Sequence, residues 1–117
     1  MQNEVTMNIE MTPENLLIQL GYPANEATLA QIGRIIDNTP GFDKFAKHIL
    51  TLNDEVKRFA GIVALSNSKD YLKVKTDSIQ PEEIEAFHDV VKRWSEKYKV
   101  ALEKVEGKNT YYILGQQ

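Results

Sequence analysis

Residues 80–98 read QPEEIEAFHDVVKRWSEKY, and the spacing of their apolar side chains decides the fold. Ile84, Phe87, Val91, Trp94 and Tyr98 recur every three or four positions. On a helix that spacing places them in one stripe. Pro81 suits the first helical position, where a missing N–H costs no hydrogen bond. Glu83 stands where a capping box places its acid, and Ile79 and Ile84 occupy the two positions of a hydrophobic staple. Gln80 is a weak cap. The pattern predicts a helix over 81–98 with one buried face and one wet face.

On either side of this helix the period changes. Tyr71-Leu72-Lys73-Val74-Lys75 alternates strictly, so Leu72 and Val74 face one way while Tyr71, Lys73 and Lys75 face the other. Ahead of it, Ile62–Leu65 is short, apolar and β-prone, and Ser66–Lys69 is turn-like. Together they predict a β-hairpin over 61–76. After the helix, Val100–Val105 and Thr110–Leu114 flank Glu106-Gly107-Lys108-Asn109, whose glycine and asparagine suit a hairpin turn. Residues 115–117 are expected to fray.

The N-terminal third reads as helical. Thr12 and Pro13 make a cap and first position, Glu14 complements the helix dipole, and Met11 and Leu16 form a staple. The helix runs over 13–20 and Gly21 stops it. Asn25 caps a second helix over 26–37, with Leu29, Ile32, Ile35 and Ile36 as its stripe. Gly33 lowers its propensity, and close packing against a neighbouring helix would account for it. Thr39 and Pro40 repeat the cap-then-proline pair ahead of a third helix, whose apolar face is Phe42, Phe45, Ala46, Ile49 and Leu50. Asn53-Asp54 either stops this helix or caps a further turn holding Val56, Phe59 and Ala60. Residues 1–11 read as an extended lead-in.

The expected class is therefore α+β in a single domain over 1–117: three N-terminal helices, then hairpin–helix–hairpin. The hairpins join as a four-stranded antiparallel sheet covered by helices.

Composition narrows the function. Apolar residues make up 42% and charged residues 26%, near globular averages, which argues against long disorder. The chain has no cysteine, which removes disulfides, thiolate nucleophiles and cysteine-ligated metals and fits a reducing compartment. The first ten residues lack the basic and apolar regions of a secretory signal, and no apolar run approaches the roughly 20 residues that span a bilayer. A soluble, cytoplasmic protein is the expectation.

Catalytic chemistry is hard to place. His48 and His88 are the only histidines, and neither sits in a metal-ligand spacing. Glu82, Glu83 and Glu85 cluster in a first helical turn, where the dipole explains them. No glycine-rich phosphate loop or nucleophile elbow is present. No cofactor, metal or catalytic residue is expected, and a non-enzymatic role is favoured.

Charge suggests surfaces instead. The net charge is -3, but residues 90–117 carry Lys92, Arg93, Lys97, Lys99, Lys104 and Lys108 against Glu96, Glu103 and Glu106. These bases form one candidate interface, for nucleic acid. A helix followed by a basic-tipped hairpin superficially resembles a winged helix, but the acidic whole and the core-like stripe of helix 81–98 count against it. A second candidate is the outer side of the first hairpin, Tyr71, Lys73 and Lys75, joined by Tyr112 if it faces the same way. Aromatic rings beside cations are common at protein interfaces, although lysines that guard an edge strand produce the same pattern.

Three functions follow in order of preference. The first is a protein-interaction or regulatory module whose partner is another protein or, as a homodimer, a second copy. The second is a nucleic-acid-binding protein. The third is a small enzyme or ligand carrier with a pocket between the helical half and the sheet, using tyrosine and carboxylate groups.

Overall fold

The computed structural model describes residues 11–117. The expected lead-in over 1–10 lies outside the described residues; Met11 packs, partly buried, against the core. Three helices come first: α1 (Pro13–Gln19), α2 (Glu26–Asp37) and α3 (Phe42–Val56). A 3-10 turn, Lys57–Phe59, leads into β1 (Gly61–Leu65) and β2 (Leu72–Thr76). Then come α4 (Pro81–Tyr98), β3 (Val100–Lys104) and β4 (Thr110–Gln116). The four strands form one antiparallel sheet in the order β1-β2-β4-β3, so β2 and β4 join the two hairpins at its centre. The α+β class and this helix-and-sheet order agree with the sequence reading.

Local chemistry sets most boundaries. The Thr12 side chain accepts from the Asn15 N–H and begins α1. Asn25 accepts from the Thr28 N–H, while the Thr28 hydroxyl accepts from the Asn25 N–H, a reciprocal capping box that opens α2. Lys99 turns the chain out of α4 with φ at 57°, in the left-handed region that ends a helix.

The core is one cluster. Leu16, Leu17, Ile32, Ile35, Phe45, Ile49, Leu52 and Val56 meet Phe87, Val91 and Trp94 of α4. The sheet contributes Val63, Leu65, Leu72, Val74, Val100, Tyr111 and Ile113 from its inner face. Of the α4 stripe, Phe87, Val91 and Trp94 are buried, while Ile84 and Tyr98 are only partly so.

Several local expectations give way to other arrangements. Thr39 does not cap α3: its hydroxyl turns back and donates to the Ile35 carbonyl at 2.6 Å, and Gly41, at φ 68°, occupies the cap position. The Ile79–Ile84 staple does not form, since Ile79 is 85% exposed. Ser78 takes over that end instead. Its Oγ donates to Glu83 Oε1 at 2.6 Å and accepts from the Gln80 N–H at 3.1 Å, linking the acid to the helix start. Gly33 is not a packing glycine, because a Cβ placed there meets nothing within 4 Å. Asn53 does not end α3; it is a buried helical residue.

The expected fraying at 115–117 is also replaced by order. Strand β4 runs to Gln116, and the register with β3 skips Leu114 as a bulge. Gly115, at φ 128°, lies so close to Pro40 that a Cβ would sit 2.8–2.9 Å from the proline Cδ, N and O. The Gln116 N–H donates to the Pro40 carbonyl at 2.8 Å, and the Gln117 N–H donates to the Lys99 carbonyl at 2.9 Å.

One edge of the sheet is closed by side chains. In β1, Val63 and Leu65 aim their N–H groups away from β2. The Val63 N–H donates to Asn53 Oδ1 at 2.9 Å, and the Leu65 N–H donates to the Tyr22 hydroxyl at 3.0 Å. Two amides that would template another strand are thus satisfied from α3 and from the α1–α2 connection.

Candidate functional site

Among the described residues no helix packs on the sheet's outer face. Register fixes what that face presents. Ala64, Lys73, Tyr112 and Glu103 form one row across all four strands, and Ile62, Lys75 and Thr110 form the next. The alternation that buries Leu72 and Val74 therefore turns Lys73 and Lys75 outward, and the one that buries Tyr111 and Ile113 turns Tyr112 outward. The sequence-expected set of Tyr71, Lys73, Lys75 and Tyr112 comes together on one side. The ring centroids of Tyr71 and Tyr112 stand 6.1 Å apart at 46°.

The surroundings are cationic and hydroxyl-rich. Lys69 Nζ lies over the Tyr112 ring, 5.1 Å from its centroid, at cation–π distance. The Tyr112 hydroxyl is 3.0 Å from Ser68 Oγ. That hydrogen bond lowers the Tyr112 pKa from its ordinary 10.0, with Ser66, Lys69 and Lys73 acting in the same direction. Lys75 Nζ, half-buried, lies 3.8 Å from the exposed Asp77. Beside these rows an open concavity of about 430 Å³ is lined by Ser68, Lys73, Lys75, Lys108, Thr110 and Tyr112, among others. Lys69 and Lys73 thus stand beside the Tyr112 ring and Lys75 and Lys108 line the adjoining concavity, with Asp77 and Glu103 as nearby acids.

The six bases of the other candidate surface scatter. Arg93 pairs with Asp89 at 2.8 Å on the exposed side of α4. Lys97 lies over the Tyr98 ring at 5.4 Å and shares with Arg93, Glu55 and Trp94 a groove of about 200 Å³ between α3 and α4. Lys92 is exposed on the same helix, and Lys99 ends it. Lys104 curls into its own turn, donating to the Lys108 carbonyl at 2.8 Å. Only Lys108 reaches the sheet-face concavity. The helix carrying Lys92, Arg93 and Lys97 covers the opposite side of the sheet, so the set does not converge.

Sequence reasoning missed three members of the lysine–tyrosine face. Ser68 and Lys69 sit in a turn that reads only as a connection, and Lys108, read with the C-terminal bases, lines the sheet-face concavity. The signal for them was the register: once β2 pairs with β4, the β1–β2 and β3–β4 turns flank Tyr112.

A second, half-buried polar cluster joins α4 to β4. His88 Nδ1 is 2.6 Å from the Tyr111 hydroxyl, and its Nε2 is 3.0 Å from Asn109 Oδ1. The amide oxygen only accepts, so Nε2 donates to it, and in the neutral ring Nδ1 accepts from the Tyr111 hydroxyl. Burial raises the Tyr111 pKa and keeps that hydroxyl a donor. These hydrogen bonds occupy both ring nitrogens of His88 and tie α4 to β4 and to the turn before it.

Among the described residues, no three histidine, aspartate or glutamate side chains converge as a metal site, and no helix is long and apolar enough to cross a membrane. Comparison with protein-family models, with curated proteins and with solved structures returns no match, so the site stands on its own geometry.

Proposed function

We propose that this chain is a non-catalytic binding module whose working surface is the outer sheet face, and that its partner is anionic. The observation that carries this reading is the gathering of Lys69 and Lys73 beside the Tyr112 ring and of Lys75 and Lys108 along the adjoining concavity, on a face no described helix covers. In an otherwise acidic chain, this local excess of cations draws a negatively charged partner to one side. The satisfied His88–Tyr111–Asn109 cluster, the clearest alternative for chemistry, has a structural explanation.

The test is an amide NMR titration with inorganic polyphosphate, a probe with charge and nothing else. Shifts concentrated in β2, β4 and the β1–β2 turn support the reading. Shifts concentrated around Lys92, Arg93 and Lys97, or none at low salt, reject it.

A further inference from the structure

We infer that the anionic partner is a single-stranded nucleic acid, its bases stacked on Tyr112 and Tyr71 and its phosphates held by Lys69, Lys73, Lys75 and Lys108. This inference rests on the reading of the outer sheet face as an anion-binding surface and adds the identity of the ligand.

Three features of the face favour this ligand. The first is the combination of groups. A sheet face carrying aromatic rings between cations binds unpaired strands because every base has a π-face, while lysines follow the backbone without reading sequence. The 46° tilt between Tyr71 and Tyr112 prevents one base from lying flat on both rings, so each ring serves its own base. Lys69 occupies one side of the Tyr112 ring, and its flexible stem allows the ammonium to move to a phosphate.

The second is spacing. Lys73 and Lys75 lie two apart on β2, roughly 7 Å along the strand. That is comparable to the step between successive phosphates in an extended single strand. Lys69 and Lys108 extend the cationic track through the two flanking turns.

The third concerns the competing ligand, an acidic peptide. An extended peptide gains most by pairing its backbone with a sheet edge. The β1 edge is closed to it by Asn53 and Tyr22, and the open β3 edge presents the exposed Glu103, which repels an acidic chain. The face beside it offers rings, ammonium groups and hydroxyls, which suit bases and phosphates. A duplex is disfavoured because its bases are already stacked and a flat sheet enters neither groove.

The test is fluorescence anisotropy of the full chain with labelled 12-nucleotide oligo(dT) and oligo(U), using polyphosphate of matched charge as the comparison. With about 0.7 units of log–log salt slope per neutralised phosphate of a single strand, four lysines give a slope near -3. Affinity should then fall roughly 50-fold between 50 and 200 mM salt. Tyr112→Ala should weaken oligonucleotide binding by roughly tenfold and leave polyphosphate binding unchanged. Circular dichroism checks that this variant folds. Should it not fold, Tyr112→Leu and the double variant Lys73→Gln, Lys75→Gln carry the test. The double variant should roughly halve the salt slope. Lys92→Gln with Lys97→Gln, on the far side of the sheet, should leave affinity unchanged. Oligonucleotides that bind no better than polyphosphate, or as well to folded Tyr112→Ala as to wild type, overturn the inference and leave the anion-binding reading standing. Failure of both probes at low salt overturns the two together.

Discussion

Trp94 hangs α4 from α3: its indole Nε1–H donates to the backbone carbonyl of His48 at 2.8 Å. Its ring meets Phe45 edge-on, with centroids 6.2 Å apart, and only 3% of the residue is exposed. Trp94→Ala is expected to cost about 3–5 kcal/mol of stability. Trp94→Phe keeps most of the ring and loses the donor, so roughly 1–2 kcal/mol is expected. Urea unfolding of both variants measures the two contributions, and a near-neutral alanine variant would remove Trp94 from the core.

The glycines in α2 and β4 should respond in opposite directions to the same added methyl group. At Gly33 a Cβ meets nothing within 4 Å inside a regular helix, so Gly33→Ala should stabilise by about 0.5–1 kcal/mol. At Gly115 the same atom collides with the Pro40 backbone, and φ of 128° is unsuited to alanine. Gly115→Ala should destabilise by at least about 2 kcal/mol. Thermal melts of the pair give the comparison directly.

Asn53 links a helix to a strand edge. Removing its Oδ1 leaves the buried Val63 N–H without an acceptor, at a cost of about 1–3 kcal/mol. Asn53→Leu, similar in volume, should lose as much as Asn53→Ala if the hydrogen bond rather than the cavity dominates. Hydrogen exchange at the Val63 amide should accelerate in both variants, and unchanged exchange would contradict the assignment.

His48 makes stability depend on pH. Its ring stacks on Tyr98, centroids 3.8 Å apart and 13° from parallel. Burial, then Lys47 and Lys97, hold its pKa below the ordinary 6.5. The unfolded chain therefore takes up the proton first as pH falls. Stability should decrease as pH drops through 6.5 towards the lower folded-state value, and this contribution should be flat above that range. Melting temperatures between about pH 5 and pH 8 test it, with His48→Gln expected to show a shallower acid limb.

What could be read in advance was whatever depends on near neighbours in the chain. The stripe from Ile84 to Tyr98 and Pro81 together bounded α4, and the alternation around Val74 oriented β2. Readings failed where another partner, near or distant in the chain, outbid the expected one. Thr39 had a cap position to fill, but the end of α2 supplied Ile35 as a carbonyl partner. Ile79 had a staple partner in Ile84, yet Ser78 organised that turn with Glu83. The roles of Asn53 and His88 depend on strands arriving 10 and 21 residues later, and no local pattern announces such meetings. The candidate site was half legible for the same reason. Alternation exposed Lys73, Lys75 and Tyr112 one strand at a time, whereas Ser68, Lys69 and Lys108 joined them only through the pairing of β2 with β4.

The closure of β1 by Asn53 and Tyr22 limits how these molecules can associate with one another. A ribbon or fibril built edge to edge requires every subunit to offer two open sides, one for the chain before it and one for the chain after. Here one side is already taken by the protein's own side chains. Pairing through the remaining edge, β3, joins two copies and then has nowhere to continue, so association of this kind terminates at a pair.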